Sequence, residues 1–548
     1  MIQPLRRRYW LLLIFIFAVF WFGTTDYRRL IDPDEGRYAE IPREMVATGD
    51  WLTPRLNDLK YFEKPPLQYW ATAIAYTLFG EHHWTARLWS ALTGFLGILF
   101  TMFAVAKLFN PTTGWIAGVV LASSLLWNLI GHINTLDMGV SAFLAAAVFA
   151  LCLAQRDEAT PAESRRWQDG AWVMLALAIL SKGLIGLVLP AATVVLYSMW
   201  QRDWGFVARI RPWRGLAILL LITAPWFIAV SLANPGFAEF FFVHEHFQRF
   251  LTKVHDRYEP AWYFIPVLLL GMLPWLGSLL PGLWAGLTKN PGKRFQPQRF
   301  LLVWAVLVFA FFSVSDSKLA SYILPIFPAL AALVALRLGN LATSRLASDA
   351  LLSALIGLAG LGCMHLVVQR AASPEMAAGY QQYLPWLYAA AGIFFAGGVG
   401  TFFLKRWHHA AAILTLAIAG FLGGQAILLG HDAFGAVKSL RDLAVMVRKQ
   451  LPPDKETPFY SVNTYHQSFQ FYLGRTTTMV AYQDELSFGI RQEPQKFIPD
   501  IAGFVLAWRQ APSAWAIMPQ STWAQLRAQG LPMQEVARDS RRIVVRKP

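Results

Sequence analysis

Long apolar runs separated by polar segments constrain this chain more than any other feature of its sequence. A helix needs about 20 apolar residues to cross roughly 30 Å of hydrocarbon, and thirteen runs come near that length. They cover residues 9–22, 86–108, 114–131, 138–154, 170–187, 189–200, 215–232, 263–287, 300–314, 322–336, 351–368, 388–404 and 410–429. With 56% hydrophobic and 15% charged residues, the chain is more apolar than soluble domains are. The sequence therefore predicts a polytopic α-helical membrane protein.

The charges between the runs predict its orientation. With the amino terminus inside, the cytoplasmic segments hold most of the Lys and Arg residues, whereas the short external segments offer little beyond Lys318 and Arg370. Cationic residues favour the cytoplasmic side, so the asymmetry supports thirteen spans and places the tail outside. It also explains much of the net charge of +15, which is therefore no sign of nucleic-acid binding.

The first run and the two cysteines add little beyond this topology. The charged start of the run is not followed by a small-residue cleavage site, so we expect it to remain as an anchor. Cys152 and Cys363 both fall inside apolar runs. No disulfide is therefore expected in the external parts of the chain.

Two domains are predicted, a membrane domain over 1–429 and a soluble α/β domain over 430–548. The membrane domain has two long external segments, about 23–84 and 233–262, and we expect short helices at 40–46 and 67–76 to lie along the outer leaflet. The tail has strand-like patterns at 459–462, 478–482, 515–518 and 543–545, with helical patterns at 440–450, 467–473 and 521–529.

Ionisable residues gather on the external side of this topology. They are Asp34, Glu35, Arg37, Glu63, Lys64, His82, His83, Asp137, Lys182, Arg249 and Lys318. Charge beside a bilayer is costly unless it does chemistry or binds other charge. A cavity with both carboxylates and cations suits an amphipathic anion such as a polyprenyl phosphate carrying a sugar, because Lys and Arg can neutralise the phosphate.

Glycosyl transfer on such a carrier needs three things from a protein. It must stabilise the leaving phosphate, support positive charge on the sugar carbon, and position or deprotonate the acceptor. Lys64 and Arg249 suit the first task, and Asp34 suits the second or third. Simpler interpretations remain open, since Asp137 could cap the fourth span and Lys182 could extend to the interface.

A metal site is a further hypothesis. Glu63, His82 and His83 supply carboxylate and imidazole, a common ligand set for a divalent ion such as zinc. Their spacing matches no compact motif, however, and histidines at a surface are ordinary. No other cofactor is expected.

Several motifs together carry a resemblance to a known family. They are Asp34-Glu35-Gly36-Arg37-Tyr38-Ala39-Glu40-Ile41, Gly49-Asp50-Trp51, Tyr61-Phe62-Glu63-Lys64-Pro65-Pro66, Leu136-Asp137, Ser181-Lys182-Gly183, Ser317-Lys318-Leu319 and Tyr322-Ile323-Leu324-Pro325. In order and interval they resemble the GT-C class of membrane glycosyltransferases, most closely the bacterial lipid A aminoarabinose transferases and more distantly the protein mannosyltransferases.

The resemblance implies a reaction and a place. The reaction is transfer of 4-amino-4-deoxy-L-arabinose from undecaprenyl phosphate to a lipid A phosphate, at the periplasmic face of a bacterial inner membrane. This would lower the negative surface charge and confer resistance to polymyxin and cationic peptides. The implied partners are the lipid-linked sugar, lipid A and the bilayer, and we expect a monomer.

The resemblance also assigns residues. Asp34 matches the principal acidic residue and Asp137 a second one, whereas Lys64 and Arg249 match positions that contact the lipid-linked phosphate. The predicted cavity and donor-binding residues are Arg37, Tyr38, Tyr61, Lys182 and Lys318. One departure is Gly36, where a bulkier residue is expected in the enterobacterial enzymes. Because a phosphate acceptor is already anionic, we expect Asp34 to orient the acceptor, pair with the donor amine or stabilise an oxocarbenium-like centre.

Three other functions fit part of the sequence. A related transferase could move another sugar to a protein or glycan, and nothing in the sequence fixes the sugar. A lipid-linked sugar transporter would show internal repeats and midplane charges, whereas here the charges lie at one face and no repeat is visible. A scaffold with a partner-binding tail would not explain the clusters at Asp34 and Lys64.

Overall fold

The computed structural model describes residues 7–248, 259–339, 346–452 and 456–548, without the side chains of 7–10 and 244–248. The longer helices of the membrane domain are Arg7–Phe22, Asp34–Thr48, Leu67–Phe79, His83–Leu108, Pro111–Ser123, Leu125–Ile130, Leu136–Gln155, Pro161–Lys182, Ile185–Gln201, Pro212–Ala233, Phe264–Gly271, Leu276–Gly286, Pro297–Val314, Phe327–Gly339, Leu346–Cys363, Pro374–Leu404 and His409–Gly430. Shorter helical segments are Gly205–Arg209, Glu239–Gln248, Ala261–Tyr263, Ala320–Ile326, Leu366–Gln369, His431–Phe434 and Gly435–Lys438.

All thirteen predicted apolar runs are helical over most of their length. Within the described ranges, eight helices are long and apolar enough to cross a membrane, and a bent pair makes a ninth candidate. Two shorter apolar helices, Leu11–Phe22 and Ile185–Gln201, coincide with the first and sixth predicted runs. The prediction of a polytopic helical membrane domain is confirmed.

Four of the predicted runs contain a break between helices, namely those at 114–131, 170–187, 263–287 and 351–368. The run at 263–287 forms two helices that meet at 113°, and the Asp349 carboxylate accepts from Ser278 N and Ser278 Oγ, at 2.8 and 2.5 Å, at the start of the second helix. The run at 114–131 breaks at Ser124, which is extended. Apolar content alone does not reveal these breaks, because they depend on a distant carboxylate and on local backbone conformation.

The first external segment contains both predicted short helices, each longer than expected. The first covers Asp34–Thr48, so Asp34 is its opening residue. The second, Leu67–Phe79, buries Tyr69 and Tyr76 on one side and exposes Ile74, Leu78 and Phe79 on the other. Such a two-sided helix suits the interfacial position that the sequence predicts.

The tail forms a small α/β domain, as predicted. The strands of the tail are β3 (Phe459–Val462), β4 (Thr478–Val480), β5 (Phe497–Ile498), β6 (Trp515–Pro519), β7 (Gln534–Arg538) and β8 (Arg542–Arg546); β1 (Arg55–Leu56) and β2 (Leu59–Lys60) form a separate hairpin in the first external segment. The helices of the tail include Arg441–Arg448, Gln467–Leu473, Ser487–Gln492, Ile501–Gln510 and Gln520–Ala528, with short helical turns at Asp484–Leu486 and Pro494–Lys496. The sheet order is β5-β4-β3-β6-β8-β7, with β8 antiparallel to both β6 and β7. The edge strands β5 and β7 and the helices Ser487–Gln492 and Ile501–Gln510 were not predicted.

The tail is docked firmly on the first external segment. The Asn57 side chain donates to Thr477 O and accepts from Thr477 N, both at 2.7 Å, as a neighbouring strand would. Arg29 forms ion pairs with Asp432 and Asp442. At Gly36 an added Cβ would lie 2.4 Å from Ser468 N, so the tail backbone explains why no bulkier residue stands there. The tail thus forms a fixed wall beside Asp34.

Candidate active site

Asp34 presents a partly exposed carboxylate at the start of its helix. Its Oδ1 accepts a hydrogen bond from Arg37 Nη1 at 3.0 Å, one turn along the helix, and its side chain is 40% exposed. A carboxylate in the first turn is also favoured by the helix dipole. Asp34 is therefore held in place while it stays accessible to a ligand.

Glu35 points away from Asp34 into the protein. Its two oxygens accept from Arg87 Nε and Nη2 at 2.7 and 2.9 Å, and Arg28 lies at 3.5 Å. Burial alone would raise its pKa, but Arg87 and Arg28 outweigh it and lower the pKa to about 2. Glu35 is thus a structural anchor, and the two adjacent carboxylates do not act as a pair.

Arg37 joins the membrane domain to the tail inside the site. Its Nη2 forms an ion pair with Glu485 Oε2, and both side chains are 11% exposed. Glu485 also accepts from Gln467. Burial raises the pKa of Glu485 even though Arg37 opposes the rise. Sequence reasoning missed Glu485 because the tail carries no motif; the only signal was that the tail lies on the same side as Asp34.

Three tyrosines surround this ion pair. Tyr38, Tyr61 and Tyr69 are buried, and Arg37 lies 5.8 Å from the Tyr38 ring centroid and 6.0 Å from that of Tyr61. The hydroxyls of Tyr61 and Tyr69 are buried without a hydrogen-bond partner in the described chain. Buried polar atoms are normally satisfied, so these hydroxyls mark a place where a polar ligand fits.

Tyr38 lies within electrostatic range of both Asp34 and Asp137. Burial raises the pKa of Tyr38 well above its usual value, and the carboxylates of Asp34 and Asp137 add to the rise. Both carboxylates therefore act electrostatically on one phenol.

Asp137 forms the second acidic centre. It lies in the first turn of the Leu136–Gln155 helix, whose N-cap is Thr135, so it is not the cap. Its carboxylate pairs with Lys182 and accepts from Ser321 Oγ at 2.6 Å. Lys182 Nζ also lies 4.5 Å from the Tyr322 ring centroid. The interpretation of Lys182 as a residue merely reaching for the interface is thus replaced by a specific contact.

Lys64 and Lys318 are more engaged with the protein than the sequence indicates. Lys64 Nζ donates to Glu63 O at 2.8 Å and lies 3.9 Å from Glu63 Oε2. Lys318 is 5% exposed, and its Nζ donates to Glu259 O and Ser315 O. Lys318 therefore holds two segments together, and its role in donor binding stays a prediction. Arg249 lies outside the described residues.

The predicted metal ligands do not come together. His83 contacts Asp26 O at 3.1 Å and the Tyr472 hydroxyl at 3.0 Å, whereas Glu63 lies beside Lys64. His82 caps the His83–Leu108 helix. Throughout the described ranges, no group of three His, Cys, Asp or Glu residues could hold a metal ion. The assignment of Glu63, His82 and His83 to one site is wrong, because packing sends them to different partners.

The bundle, the docked tail and the acidic sites at one end of the bundle define a membrane glycosyltransferase of the GT-C class. Its fold is shared with the Archaeoglobus fulgidus oligosaccharyltransferase, at a TM-score of 0.54 and 13% identity over 94% of this chain and 70% of that one. The family model described as dolichyl-phosphate-mannose-protein mannosyltransferase matches residues 63–228. The model described as aminoarabinose transferase C-terminal domain matches residues 443–547.

Closer relatives narrow the class to a family. An undecaprenyl phosphate-alpha-4-amino-4-deoxy-L-arabinose arabinosyl transferase of Aeromonas salmonicida is 37% identical over 71% of this chain and 70% of its own length. One of Shewanella sediminis is 38% identical, over 56% of each chain. The crystal structure of ArnT from Cupriavidus metallidurans bound to undecaprenyl phosphate matches with a TM-score of 0.94 and 37% identity, over 99% of this chain and 98% of that one. The chain belongs to the undecaprenyl phosphate-aminoarabinose arabinosyl transferase family.

Proposed function

We propose that this protein transfers 4-amino-4-deoxy-L-arabinose from undecaprenyl phosphate to a phosphate of lipid A, at the periplasmic face of a bacterial inner membrane. The main support is the similarity along 99% of the chain to an ArnT that was crystallised with undecaprenyl phosphate. Consistent with it, the site combines accessible carboxylate, buried cation and orphaned tyrosine hydroxyls around Asp34.

In the proposed reaction the bond between sugar C1 and the carrier phosphate oxygen breaks, and an oxygen of the acceptor phosphate bonds to C1. The carrier leaves as undecaprenyl phosphate. A phosphate monoester has a second pKa of about 6, so the acceptor is already anionic at neutral pH and needs no strong base. Asp34 then stabilises the positive charge that develops at C1 or orients the acceptor.

Carrier binding falls to the cations of the site. Lys64, in the Tyr61–Pro66 motif, and Arg249 are assigned to the leaving phosphate, where a fixed cation stabilises the charge that accumulates as the bond breaks. We also assign Arg37 and Tyr61 to the cavity wall around the sugar. We also assign the Glu485 carboxylate, which pairs with Arg37, to the donor amine, which is a cation at neutral pH.

The proposed chemistry requires no cofactor. Cationic side chains neutralise the leaving phosphate, so no bound ion has to carry that charge. A purified sample treated with a strong chelator and then assayed is expected to transfer sugar at the rate of the untreated sample. A rate that falls with chelation and returns with added zinc would contradict this part of the proposal.

The whole proposal is tested in a bacterial strain that lacks aminoarabinose transfer. Expression of this chain should add an aminoarabinose to lipid A, seen by mass spectrometry, and the Asp34→Asn variant at equal membrane abundance should not. A different added sugar would contradict the assigned donor. Unchanged lipid A together with glycosylated protein or glycan would contradict the assigned acceptor.

A further inference from the structure

An apolar groove of about 500 Å³ opens on the bundle surface between three helices. They are His83–Leu108, Leu136–Gln155 and Pro161–Lys182. The volume lies within the about 300–1,000 Å³ that ligand clefts usually have. The lining includes Leu96, Phe100, Phe103, Ala146, Trp167 and Gly170. A groove of this size and composition can hold an acyl chain.

The groove is separate from the candidate active site. The small cavity at Asp137 is lined on the central helix by Asp137, Val140, Ser141 and Leu144. The groove uses Ala142, Phe143, Ala145, Ala146 and Ala150 of the same helix. At 3.6 residues per turn, these two sets lie on opposite faces. A chain lying in the groove is therefore screened from Asp137 by the body of the helix.

The groove also runs toward the opposite membrane surface. On the first helix its lining continues from Leu96 through Phe100 and Phe103, and Lys107 occupies the next position of the same stripe. At 1.5 Å per residue, Lys107 lies about 36 Å from the helix start at His83. This exceeds a hydrocarbon core of roughly 30 Å, and His83 contacts Asp26 at the site end. Lys107 therefore belongs to the far interface.

Aromatic and cationic groups close the far end of the groove. The Trp167 ring packs on Phe100 and Phe103, with centroids 6.2 and 5.8 Å apart. Lys107 and Arg166 are exposed, and Arg166 adjoins Trp167 in the sequence. Tryptophan favours the depth of lipid headgroups, and basic clusters between helices at the cytoplasmic side bind anionic headgroups.

We propose that this groove binds one acyl chain of an anionic phospholipid from the leaflet opposite the active site, with the lipid phosphate at Lys107. The charge of the groove mouth selects the headgroup, and the apolar walls hold the chain. The lipid is a resident of the membrane and takes no part in sugar transfer. Its binding can therefore be measured whatever the donor and acceptor of the enzyme turn out to be.

Gly170 offers a substitution that fills the groove with little disturbance. It lines the groove, and a Cβ added there meets no atom within 4 Å, so Gly170→Leu places its side chain in the groove. Gly392, in the Pro374–Leu404 helix, has the same open surroundings and lies outside the groove. Gly392→Leu is thus the matched control for a leucine added at a helical glycine.

The test is native mass spectrometry of the full chain, purified in detergent with phosphatidylglycerol, phosphatidylethanolamine or undecaprenyl phosphate. The wild type and Gly392→Leu should retain one phosphatidylglycerol in preference to phosphatidylethanolamine, and Gly170→Leu should lose it. Lys107→Gln should weaken phosphatidylglycerol retention about five-fold and leave phosphatidylethanolamine unchanged. If Gly170→Leu is not monodisperse, Ala146→Leu on the facing wall replaces it.

Three outcomes would overturn the proposal. The first is equal phosphatidylglycerol retention by the wild type and by the folded groove-filling variant. The second is loss of both phospholipids to the same extent in Lys107→Gln, which would mean that the headgroup is not read. The third is displacement of phosphatidylglycerol by equimolar undecaprenyl phosphate in the wild type, which would make the groove a site for the carrier tail.

Discussion

Arg37 of the first external segment and Glu485 of the tail form a buried ion pair beside Asp34. Arg37 is thus shared between a carboxylate that faces the cavity and one supplied by the second domain. Removal of either partner of a buried pair leaves a charge without compensation. The membrane domain therefore does not complete the candidate site by itself.

The first prediction concerns this tail carboxylate. Glu485→Gln should lower transfer about 10- to 100-fold, because the hydrogen bonds of a charged group contribute about 1.5–3 kcal/mol. The adjacent Asp484 is exposed, and Asp484→Asn serves as the control. Initial rates with purified protein are the measurement. Equal rates for the wild type and Glu485→Gln would show that this carboxylate of the tail has no role in transfer.

Asp34→Asn should abolish most transfer and spare carrier binding. An expected loss of about 100- to 1,000-fold corresponds to one preorganised electrostatic contact. Rates and undecaprenyl phosphate affinity should be measured on the same sample. Asp26→Asn is the control, because Asp26 is an exposed acid of the same segment that accepts from Trp84 N, and an amide oxygen can do so as well. Near-normal turnover in Asp34→Asn would refute the assignment.

Lys64→Ala and Arg249→Ala should each weaken undecaprenyl phosphate binding by about 10-fold, because each removes a charge-assisted contact. Lys60→Ala provides a control in the neighbouring strand β2. Titration of the purified variants with undecaprenyl phosphate gives the affinities. Unchanged affinity in both Lys64→Ala and Arg249→Ala would show that the carrier phosphate binds elsewhere.

Asp137 and Lys182 should behave as one unit in a double-mutant cycle. Asp137→Asn and Lys182→Gln each disturb the same contact, so the double variant should lose less than the sum of the single losses. A coupling of about 0.5–3 kcal/mol in transfer is expected. The exposed pair Asp169 and Arg214 is the reference, for which a coupling energy of about 0–1 kcal/mol is expected. Strict additivity at Asp137 and Lys182 would argue against a shared role.

Glu35 should contribute to the free energy of unfolding and not to the chemistry of sugar transfer. Glu35→Gln removes one partner of a buried pair with Arg87, and a cost of about 3–5 kcal/mol in unfolding free energy is expected. The folded pKa of about 2 lies below the ordinary 4.5. The stabilisation is therefore complete above pH 4.5 and is lost as the pH falls toward 2.

Thermal unfolding of the wild type and Glu35→Gln between these pH values tests this sign. The wild type should lose stability more steeply on acidification, since only it has this carboxylate to protonate. Parallel pH profiles for the two proteins would show that Glu35 does not carry the effect.

The sequence predicts the membrane domain well because its signal is local. Each apolar run is helical over most of its length, and strand β3 has its predicted bounds, 459–462. The topology places Asp137 and Lys182 at span ends on one side, whereas the contact between them was not predicted. The helices and strands that local sequence patterns predict are thus present in the structure.

Contacts between distant segments could not be predicted in the same way. The bend before Leu276 is capped by Asp349, and the ion pair of Arg37 is completed by Glu485; neither partner is marked by its neighbours in sequence. The metal hypothesis for His82 and His83 rested on residue type alone, whereas in the structure His83 contacts the Tyr472 hydroxyl. Residue types propose candidate partners, and only the fold selects among them.

The position of Glu485 has a consequence for biosynthesis. Arg37 is synthesised long before Glu485, so the pair cannot form until this part of the tail has been translated. A nascent chain with its spans already inserted still lacks one wall of the pocket. Full activity is therefore expected only after the tail has been translated and docked.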